Sequence, residues 1–433
     1  MDFNDIKKCI EEHGIDTVEL GFADIYGVLR GKRLPARHFL KHIELGTALA
    51  KAPFAWDVQC GVYDDTKIAN FNNGYPDMVA KPILSTFRKI PWREGSAFAL
   101  CDLYDDHGEP IDVAPREVLK KVLKRAEGLG FRPLVGSELE FYLLNNNKQP
   151  LFQGIQCYSL LKGAELEYVI KEMRTGLEEF GIELEAFHIE YGPAQIEVIP
   201  EYTDALKMAD NTVLIKNAVK EIARKHGLYA TFMAKPWAEE SGNGYHVHQS
   251  LWDRELKVNY FNTDEKITQN YLAGLVQQAR DFMVFASPSI NSYKRFKDDS
   301  FAPTKVTWGD DNRTVSTRSL LGNGNSSRFE HRTGSADANP YLIIAASIAA
   351  GLYGIENELI PPPITRESAY LTEAQLLPRN LRQALSYLEG NEVAKEYFGE
   401  DFVKLFLTLE KHEVELFDDA VTDWERDRYL EMI

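Results

Sequence analysis

Five strand-like runs of this sequence share one pattern: acidic, basic or imidazole side chains stand two residues apart among apolar neighbours. The runs cover residues 134–141, 188–190, 195–198, 245–251 and 328–332. In a β-strand, residues i and i+2 point to the same face. The pattern therefore predicts a sheet with one charged face. The apolar residues between the charged ones are predicted to enter a core; they are Leu139, Ile189, Ile196, Val247 and Phe329.

The charged face carries glutamates and histidines, whereas an ordinary solvated strand face carries Lys, Thr, Ser and Gln. Several carboxylates on one half-buried sheet repel each other and lose hydration unless cations neutralise them. Divalent metal ions and the arginines of the last run, Arg328 and Arg332, could supply that charge. Carboxylates with a single imidazole suit Mg²⁺ or Mn²⁺ better than structural zinc. Because two such ions commonly serve phosphoryl transfer, the pattern predicts a two-metal nucleotide site.

The chain of 433 residues, 44% of them hydrophobic, is long enough for two or three domains. Strand-like runs at 17–22 and 28–34 flank turn residues and predict a hairpin, and 97–103 predicts a further strand. Pro115 opens a periodic helix that ends near Gly128. Further helices are predicted at about 165–180, 203–226, 267–285 and 340–357, and over most of the tail after about residue 379. We place a domain boundary near residue 110, which gives residues 1–110 and 111–433.

Composition excludes several function classes. The formal net charge of −17 argues against a nucleic-acid or anionic-membrane binder. Four separated cysteines without a C-x-x-C pair argue against a zinc knuckle or disulfide framework, and they suit a reducing compartment. The N-terminus has no signal-peptide pattern, and the apolar run at 341–355 is too short to span a bilayer comfortably. We therefore expect a cytoplasmic protein. Any use of ATP must proceed without a P-loop, because that motif is missing.

The charged runs belong to a longer ordered set of motifs. E-x-E begins at Glu138, E-x-G-P-x-Q-x-E at Glu190 and G-x-G-x-H-x-H-Q-S at Gly242. N-S-Y-K-R, N-R and R-x-E-x-R then begin at Asn291, Asn312 and Arg328. This set resembles the glutamine synthetase superfamily over most of the chain. The resemblance implies an α+β fold with a small N-terminal β-grasp domain and a large catalytic domain, in which helices flank a curved antiparallel sheet. It also implies a homo-oligomer, a dodecamer of two stacked hexameric rings, in which a neighbour's N-terminal domain completes each site.

The resemblance assigns roles residue by residue. It implies two or more Mg²⁺ or Mn²⁺ ions per site, with ATP as co-substrate. The ligands of the metal near the substrate would be Glu140, Glu190 and Glu197. The ligands of the metal on the ATP phosphates would be Glu138, His246 and Glu330. Glutamate and the transferred phosphoryl group would be held by Arg295, Arg313 and Arg332, with the Gly242 backbone at the amino-acid end. The nucleotide side would be contacted by His248, Ser250 and Arg328. Asp57, reaching into a neighbour's site, would match the ammonium-binding aspartate.

One departure bears on the substrate. Members that use ammonia carry a glutamate in the flap after N-S-Y-K-R, and this chain has Phe301 at that position. Losing the carboxylate removes a general base and a partner for a small cation. An aromatic ring offers a surface for an alkyl or aryl group, or a cation–π contact. The alternative interpretation is that Phe301 only packs the flap. The flap and the neighbouring segments resemble the γ-glutamylamine branch, of the glutamate–putrescine ligase type.

The resemblance therefore implies a ligase that forms a γ-glutamyl amide from glutamate and an organic amine through γ-glutamyl phosphate. The amine could be a polyamine, an alkylamine or an aromatic amine. It would lose its proton to Asp57, Asp298 or Asp299. Two alternatives remain within the superfamily: a glutamine synthetase that uses ammonia, and a catalytically silent structural or regulatory relative. A metal-dependent amidohydrolase is a third, suggested by His246-x-His248 alone and disfavoured because the expected later His and Asp ligands are missing.

Overall fold

Two β-sheets form the framework of the chain in a computed structural model that describes residues 1–433. The first sheet has six strands, which run in the order β2-β1-β6-β4-β3 with β5 beside β6. They are β1 (Thr17–Ala23), β2 (Leu29–Pro35), β3 (Thr47–Ala50), β4 (Asp77–Pro82), β5 (Arg88–Lys89) and β6 (Ser96–Tyr104). Helices α1 (Phe3–Glu12) and α2 (Ala36–His42) accompany them. Strands β1 and β6 are parallel, and the other pairs are antiparallel.

The second sheet has nine strands and carries the charged runs. Its strands are β7 (Phe131–Leu144), β8 (Leu184–Ile189), β9 (Gln195–Pro200), β10 (Thr203–Asp204), β11 (Tyr229–Thr231), β12 (Tyr245–Asp253), β13 (Trp308–Asp310), β14 (Thr317–Leu320) and β15 (Arg328–His331). The main path runs β13-β14-β15-β12-β7-β9-β8. Every pair is antiparallel except β13 with β14. The predicted antiparallel sheet is confirmed, and all five of the apolar residues predicted to enter the core are buried.

Eleven helices follow the first sheet. They are α3 (Pro115–Gly128), α4 (Leu160–Glu179), α5 (Ala205–Lys225), α6 (Tyr260–Thr263), α7 (Glu265–Gln277), α8 (Met283–Ala286), α9 (Pro340–Glu356), α10 (Leu381–Glu389), α11 (Glu392–Phe398), α12 (Glu400–Asp419) and α13 (Asp423–Tyr429). None of the chain's helices combines the length and the apolar character that crossing a bilayer requires. The mixed α+β fold agrees with the prediction. The boundary near residue 110 stays a prediction and falls between β6 and α3.

The prediction of one helix over 267–285 is wrong, because the structure has α7, a break and the short α8. The break lets Phe282 and Phe285 both face the tail helices. Their ring centroids lie 5.4 and 5.2 Å from that of Phe398, and Phe285 also lies 4.9 Å from Phe406. Packing of these large apolar rings outweighs the local helical periodicity.

The predicted hairpin of β1 and β2 is confirmed, and its turn joins the first sheet to the rest of the molecule. Gly27 adopts a φ of 73°, and a Cβ atom there would lie 3.0 Å from the Asn339 Cα atom. The Asn339 amide donates to the Asp24 and Ile25 carbonyls at 2.9 and 3.0 Å. Its other end accepts from the Tyr341 N–H and caps the buried helix α9. Asn339 thus fastens the N-terminal hairpin to the helix layer behind the second sheet.

Candidate functional site

Cross-strand register brings the charged residues of four strands into direct opposition on one face of the second sheet. The facing pairs are His246 with Glu138, Glu140 with Glu197, and His248 with Glu330. Directly opposite residues of an antiparallel pair have Cβ atoms about 4.5–5.5 Å apart. The alternation in the sequence and the pairing of the strands therefore produce one continuous charged surface.

Glu138 lies between both histidines of β12. One carboxylate oxygen is 3.1 Å from His246 Nδ1, and the other is 2.9 Å from His248 Nε2. Burial raises the pKa of Glu138, but hydrogen bonds from the two imidazoles outweigh that effect and hold the pKa well below its usual range. Glu138 is therefore a carboxylate available to a cation.

Glu330 is fully buried and is bound by two arginines. Arg318 Nη1 donates to its Oε2 atom at 2.9 Å, and Arg332 Nη1 forms an ion pair with Oε1. Burial raises the pKa of Glu330, while Arg332 and the two nearby histidines lower it to a net value of about 2. Arg318 was not anticipated: it stands on β14 between Thr317 and Ser319, where no apolar alternation marks the strand. Its position opposite Glu330 depends on the β14–β15 pairing.

The other end of the face is acidic. His188 Nε2 lies 3.0 Å from Glu190 Oε1 and 3.5 Å from Glu197 Oε1. Burial raises the pKa of Glu197 well above its usual range, and the negative charges of the neighbouring glutamates raise it further. A cation between these carboxylates would relieve that repulsion. His188 belongs to the charged run 188–190 that the sequence analysis identified, but no site role was predicted for it.

The donor atoms suit hard divalent cations. Three sets of oxygen and imidazole donors each lie within 4.8 Å of one another: Glu138, His248 and Glu330; Glu138, Glu197 and His246; and His188, Glu190 and Glu197. These sets contain five of the six predicted ligands, although in different groupings. Glu140 is absent from them. Its Oε2 atom accepts from the Gly244 N–H at 2.8 Å and from Gln195 Nε2 at 3.0 Å. The chemistry of the donors fits Mg²⁺ or Mn²⁺.

The three residues predicted at the nucleotide side line one cavity of about 270 Å³. Arg328 Nε donates to His248 Nδ1 at 3.1 Å, so the arginine and Glu138 hold the imidazole from its two sides. Ser250 Oγ accepts from Trp252 Nε1 at 2.8 Å. Glu138 also lines this cavity, which therefore opens directly onto the carboxylate cluster.

Among the residues predicted to hold glutamate, Arg332 pairs with Glu330, and Arg295 packs against Gly242. Arg295 is buried and donates to the Gly334 carbonyl at 2.6 Å. Burial lowers its pKa to about 10, so it remains cationic at neutral pH. A Cβ atom on Gly242 would lie 2.5 Å from Arg295 Cγ, so only glycine lets the two pack this closely. Arg332 Nη2 donates to the carbonyl of Phe301 at 3.3 Å. The Phe301 ring is 58% exposed.

Arg313 and Asp57, which were also predicted at the site, are not part of this network. Arg313 is exposed and makes no ion pair within the chain. Asp57 accepts from the Gln59 and Gly61 N–H groups, each at 2.8 Å, and lies 3.4 Å from the Tyr63 hydroxyl. These contacts are local to the N-terminal loop. The roles assigned to both residues stay predictions.

Comparison with known proteins identifies relatives along the whole chain. Residues 112–429 match the family model of the glutamine synthetase catalytic domain. Glutamate–isopropylamine ligase of a Pseudomonas species is 40% identical over 99% of this chain and 98% of its own length. Type-1 glutamine synthetase 2 of Dictyostelium discoideum is 39% identical over 96% and 84%. γ-Glutamylethanolamide synthetase of Streptomyces coelicolor is 37% identical over 96% and 93%.

Solved structures give the same result for the fold. Apo GmaS superimposes with a TM-score of 0.87 at 31% identity and covers 98% of both chains. A complex of GmaS with ADP reaches the same TM-score at 30% identity, over 98% of this chain and 99% of the other.

Proposed function

This chain belongs to the glutamine synthetase family, and we propose that it is an ATP-dependent ligase that joins the γ-carboxylate of glutamate to an organic amine. One observation carries the choice of an organic amine: an exposed phenyl ring, Phe301, stands in the flap where ammonia-using members carry a glutamate. A relative named as a glutamate–isopropylamine ligase and one named as a γ-glutamylethanolamide synthetase align with nearly the whole chain. Together they favour an alkylamine or another small organic amine over ammonia.

The reaction has two steps. The γ-carboxylate of glutamate attacks the terminal phosphorus of ATP, which yields γ-glutamyl phosphate and ADP. The neutral amine then attacks the acyl carbon and phosphate leaves, which yields the amide. An amine with a pKa near 10 must lose a proton before it attacks. We propose Asp57 of a neighbouring subunit, Asp298 or Asp299 as the acceptor, since these carboxylates lie in segments that the family uses beside the amine.

Divalent cations held by the carboxylate cluster would neutralise charge on the phosphates and align them. We propose that Glu138, His246 and Glu330 hold the ion on the nucleotide side, and that Glu140, Glu190 and Glu197 hold the ion on the substrate side. The low pKa of Glu330 supports this assignment, because the carboxylate stays ionised. The raised pKa of Glu197 supports it as well, because a cation would release a proton from an otherwise repulsive site.

Arginine side chains of the chain supply further positive charge at the site. Arg332 and Arg295 are buried beside the cluster, where a guanidinium acts strongly on developing negative charge. Arg313 is exposed and unpaired, so its side chain is free to turn toward a transferred phosphoryl group. His248, Ser250 and Arg328 line the cavity that we assign to the nucleotide. The Gly242 carbonyl is a suitable acceptor for the ammonium group of glutamate.

We also propose that the protein is a homo-oligomer, a dodecamer of two stacked hexameric rings, and that it is cytoplasmic. A ring of subunits would bring Asp57 of one chain to the site of the next, and sedimentation would distinguish a dodecamer from a monomer. The four cysteines are unpaired, which suits the reducing cytoplasm where ATP and glutamate are available.

The test is ADP release with glutamate, ATP and a panel of ammonia, isopropylamine, ethanolamine, putrescine and aniline. We expect at least one organic amine to exceed ammonia in kcat/KM. Reactions without glutamate and a Glu330→Gln variant provide the background. If ammonia outperforms every organic amine, the protein is a glutamine synthetase. If no amine stimulates ADP release, it is a catalytically silent relative.

A further inference from the structure

We propose that Gln195 is a positioning residue for glutamate: its amide holds the carboxylate of Glu140 and the carbonyl of Gly242 at a fixed spacing. The inference rests on the proposed function, in which Glu140 binds a metal ion and Gly242 receives the substrate's ammonium group. Gln195 is the first residue of β9 and is buried, with 1% of its surface exposed.

The amide nitrogen of Gln195 lies within hydrogen-bond distance of three acceptors. They are Glu140 Oε2 at 3.0 Å, the Gly242 carbonyl at 3.0 Å and Asn243 Oδ1 at 2.9 Å. An NH₂ group has two hydrogens. Three acceptors therefore share two donors, and the Gln195 nitrogen is the atom that links them.

The orientation of this amide is determined by its surroundings. Gln195 Oε1 accepts from the Gly192 N–H at 2.8 Å, so the NH₂ group must face the three acceptors. Asn243 Nδ2 donates to the Met233 carbonyl at 2.8 Å, so Asn243 turns its oxygen toward Gln195. Rotating either amide would place an oxygen against another acceptor in a buried region, which is costly. Gln195 is therefore held by backbone groups at both ends of its amide, and Asn243 is held by a backbone carbonyl and by Gln195.

The backbone around this amide has little room to adjust. A Cβ atom on Gly192 would lie 1.9 Å from the Tyr142 hydroxyl, and one on Gly242 would lie 2.5 Å from Arg295 Cγ. Both loops are thus packed directly against side chains. Within this closely packed region, the Gln195 amide bridges the Glu140 carboxylate and the Gly242 carbonyl.

The two oxygens of the Glu140 carboxylate have different surroundings. Its Oε2 atom is occupied by Gln195 and by the Gly244 N–H, whereas no hydrogen bond engages Oε1. The free oxygen can bind a cation while the occupied one keeps the carboxylate in register with Gly242. Gln195 therefore acts through two groups that touch the ion and the substrate, at the glutamate end and away from the nucleotide cavity.

The test compares Gln195→Met, which keeps the volume and removes the donors, with Gln195→Glu, which also adds negative charge. We expect Gln195→Met to raise the KM for glutamate about tenfold, the effect of losing a hydrogen bond to a charged group. The KM for ATP should stay within about threefold, since Gln195 does not line the nucleotide cavity. Gln195→Glu should raise the glutamate KM further, because its carboxylate opposes Glu140 and the Gly242 carbonyl.

A matched control is Gln278→Met, which removes another buried amide, one that accepts from Asn391 far from the site. It should change neither KM. Equilibrium dialysis of labelled glutamate with ADP and Mn²⁺, but without amine, provides a readout that needs no turnover, and Gln195→Met should weaken binding there by a similar factor. A wild-type glutamate KM in Gln195→Met, or equal losses for glutamate and ATP, would overturn this inference. A preference for ammonia in the amine panel would overturn only the proposed amine.

Discussion

Glu138 on β7 and His246 on β12 stand directly opposite each other, with the His246 Nδ1 atom 3.1 Å from a Glu138 carboxylate oxygen. The pair is held by the backbone ladder of two long central strands. Four of the six proposed metal ligands lie on β7, β9 and β12, three neighbouring strands of the same sheet. A site built this way is more rigid than one built from loops. Substitutions within it should therefore have large and specific effects.

Glu330→Ala should destabilise the fold and abolish ADP formation. It leaves Arg332 buried without its carboxylate partner and Arg318 with Asp311 alone, and breaking a buried ion pair costs about 3–5 kcal/mol. Urea unfolding of the variant and the wild type measures the loss. Glu373→Ala, at an exposed carboxylate without an ion pair, is the control and should be neutral. Equal stability of Glu330→Ala and wild type would show that the carboxylate does not anchor the two arginines.

His248→Phe should weaken ATP binding more than glutamate binding. The change removes the hydrogen bond to Glu138 and the acceptor for Arg328 at the wall of the nucleotide cavity. Loss of one hydrogen bond to a charged group corresponds to about a tenfold rise in the KM for ATP. Steady-state kinetics with each substrate varied in turn give both values. His107→Asn, in an exposed loop, serves as the control. A larger rise for glutamate than for ATP would contradict the assignment of this cavity.

Phe301→Ala should lower kcat/KM for the preferred organic amine about tenfold and leave the value for ammonia nearly unchanged. The reason is that a phenyl ring contributes roughly 1.5–3 kcal/mol when an alkyl group covers it, and ammonia has no alkyl group to do so. The amine panel provides the measurement. Phe3→Ala removes an exposed ring on α1 and should have no effect on either substrate. A parallel loss with ammonia and the organic amine would mean that Phe301 only packs the flap.

Glu410→Gln should stabilise the protein progressively as the pH rises. Both Glu410 carboxyl oxygens are buried without a partner, and burial raises the pKa of this group well above its usual range. A raised folded-state pKa contributes stability that is fully present below the unfolded pKa of about 4.3 and is lost as the pH rises. Glutamine has no such ionisation. The difference in unfolding free energy between variant and wild type should therefore grow from pH 5 to pH 8. A constant difference would contradict the buried protonated carboxyl.

Local alternation was enough to predict the charged sheet face, because the period of two fixes which side chains share a side. The same rule shows why Tyr245, adjacent to His246, turns away: it is fully buried, and its hydroxyl lies 3.3 Å from Ser137 Oγ. Arg318 could not be found this way, since its place depends on which strand pairs with β15. Gln195 lies within the E-x-G-P-x-Q-x-E motif, but the sequence does not show that its amide contacts Glu140, Gly242 and Asn243. Those contacts become visible only in the folded structure.

The helices were predicted well where their packing follows one apolar face. They were predicted poorly where packing partners lie far along the chain, as at the break before α8, where Phe285 meets Phe398. The contacts of the flap that carries Phe301 also could not be predicted from local sequence patterns. The contact between Arg332 and the Phe301 carbonyl joins residues 31 positions apart through loop geometry. Long-range contacts of this kind leave no periodic trace in a single sequence.

Activation of the γ-carboxylate by ATP is the central claim, and oxygen transfer tests it most directly. Glutamate labelled with ¹⁸O in its γ-carboxylate is incubated with ATP, Mg²⁺ and the preferred organic amine, and phosphate and amide are analysed by mass spectrometry. We predict that one labelled oxygen appears in inorganic phosphate for each γ-glutamyl amide formed. Amide or ADP formation without label in the phosphate would contradict the account.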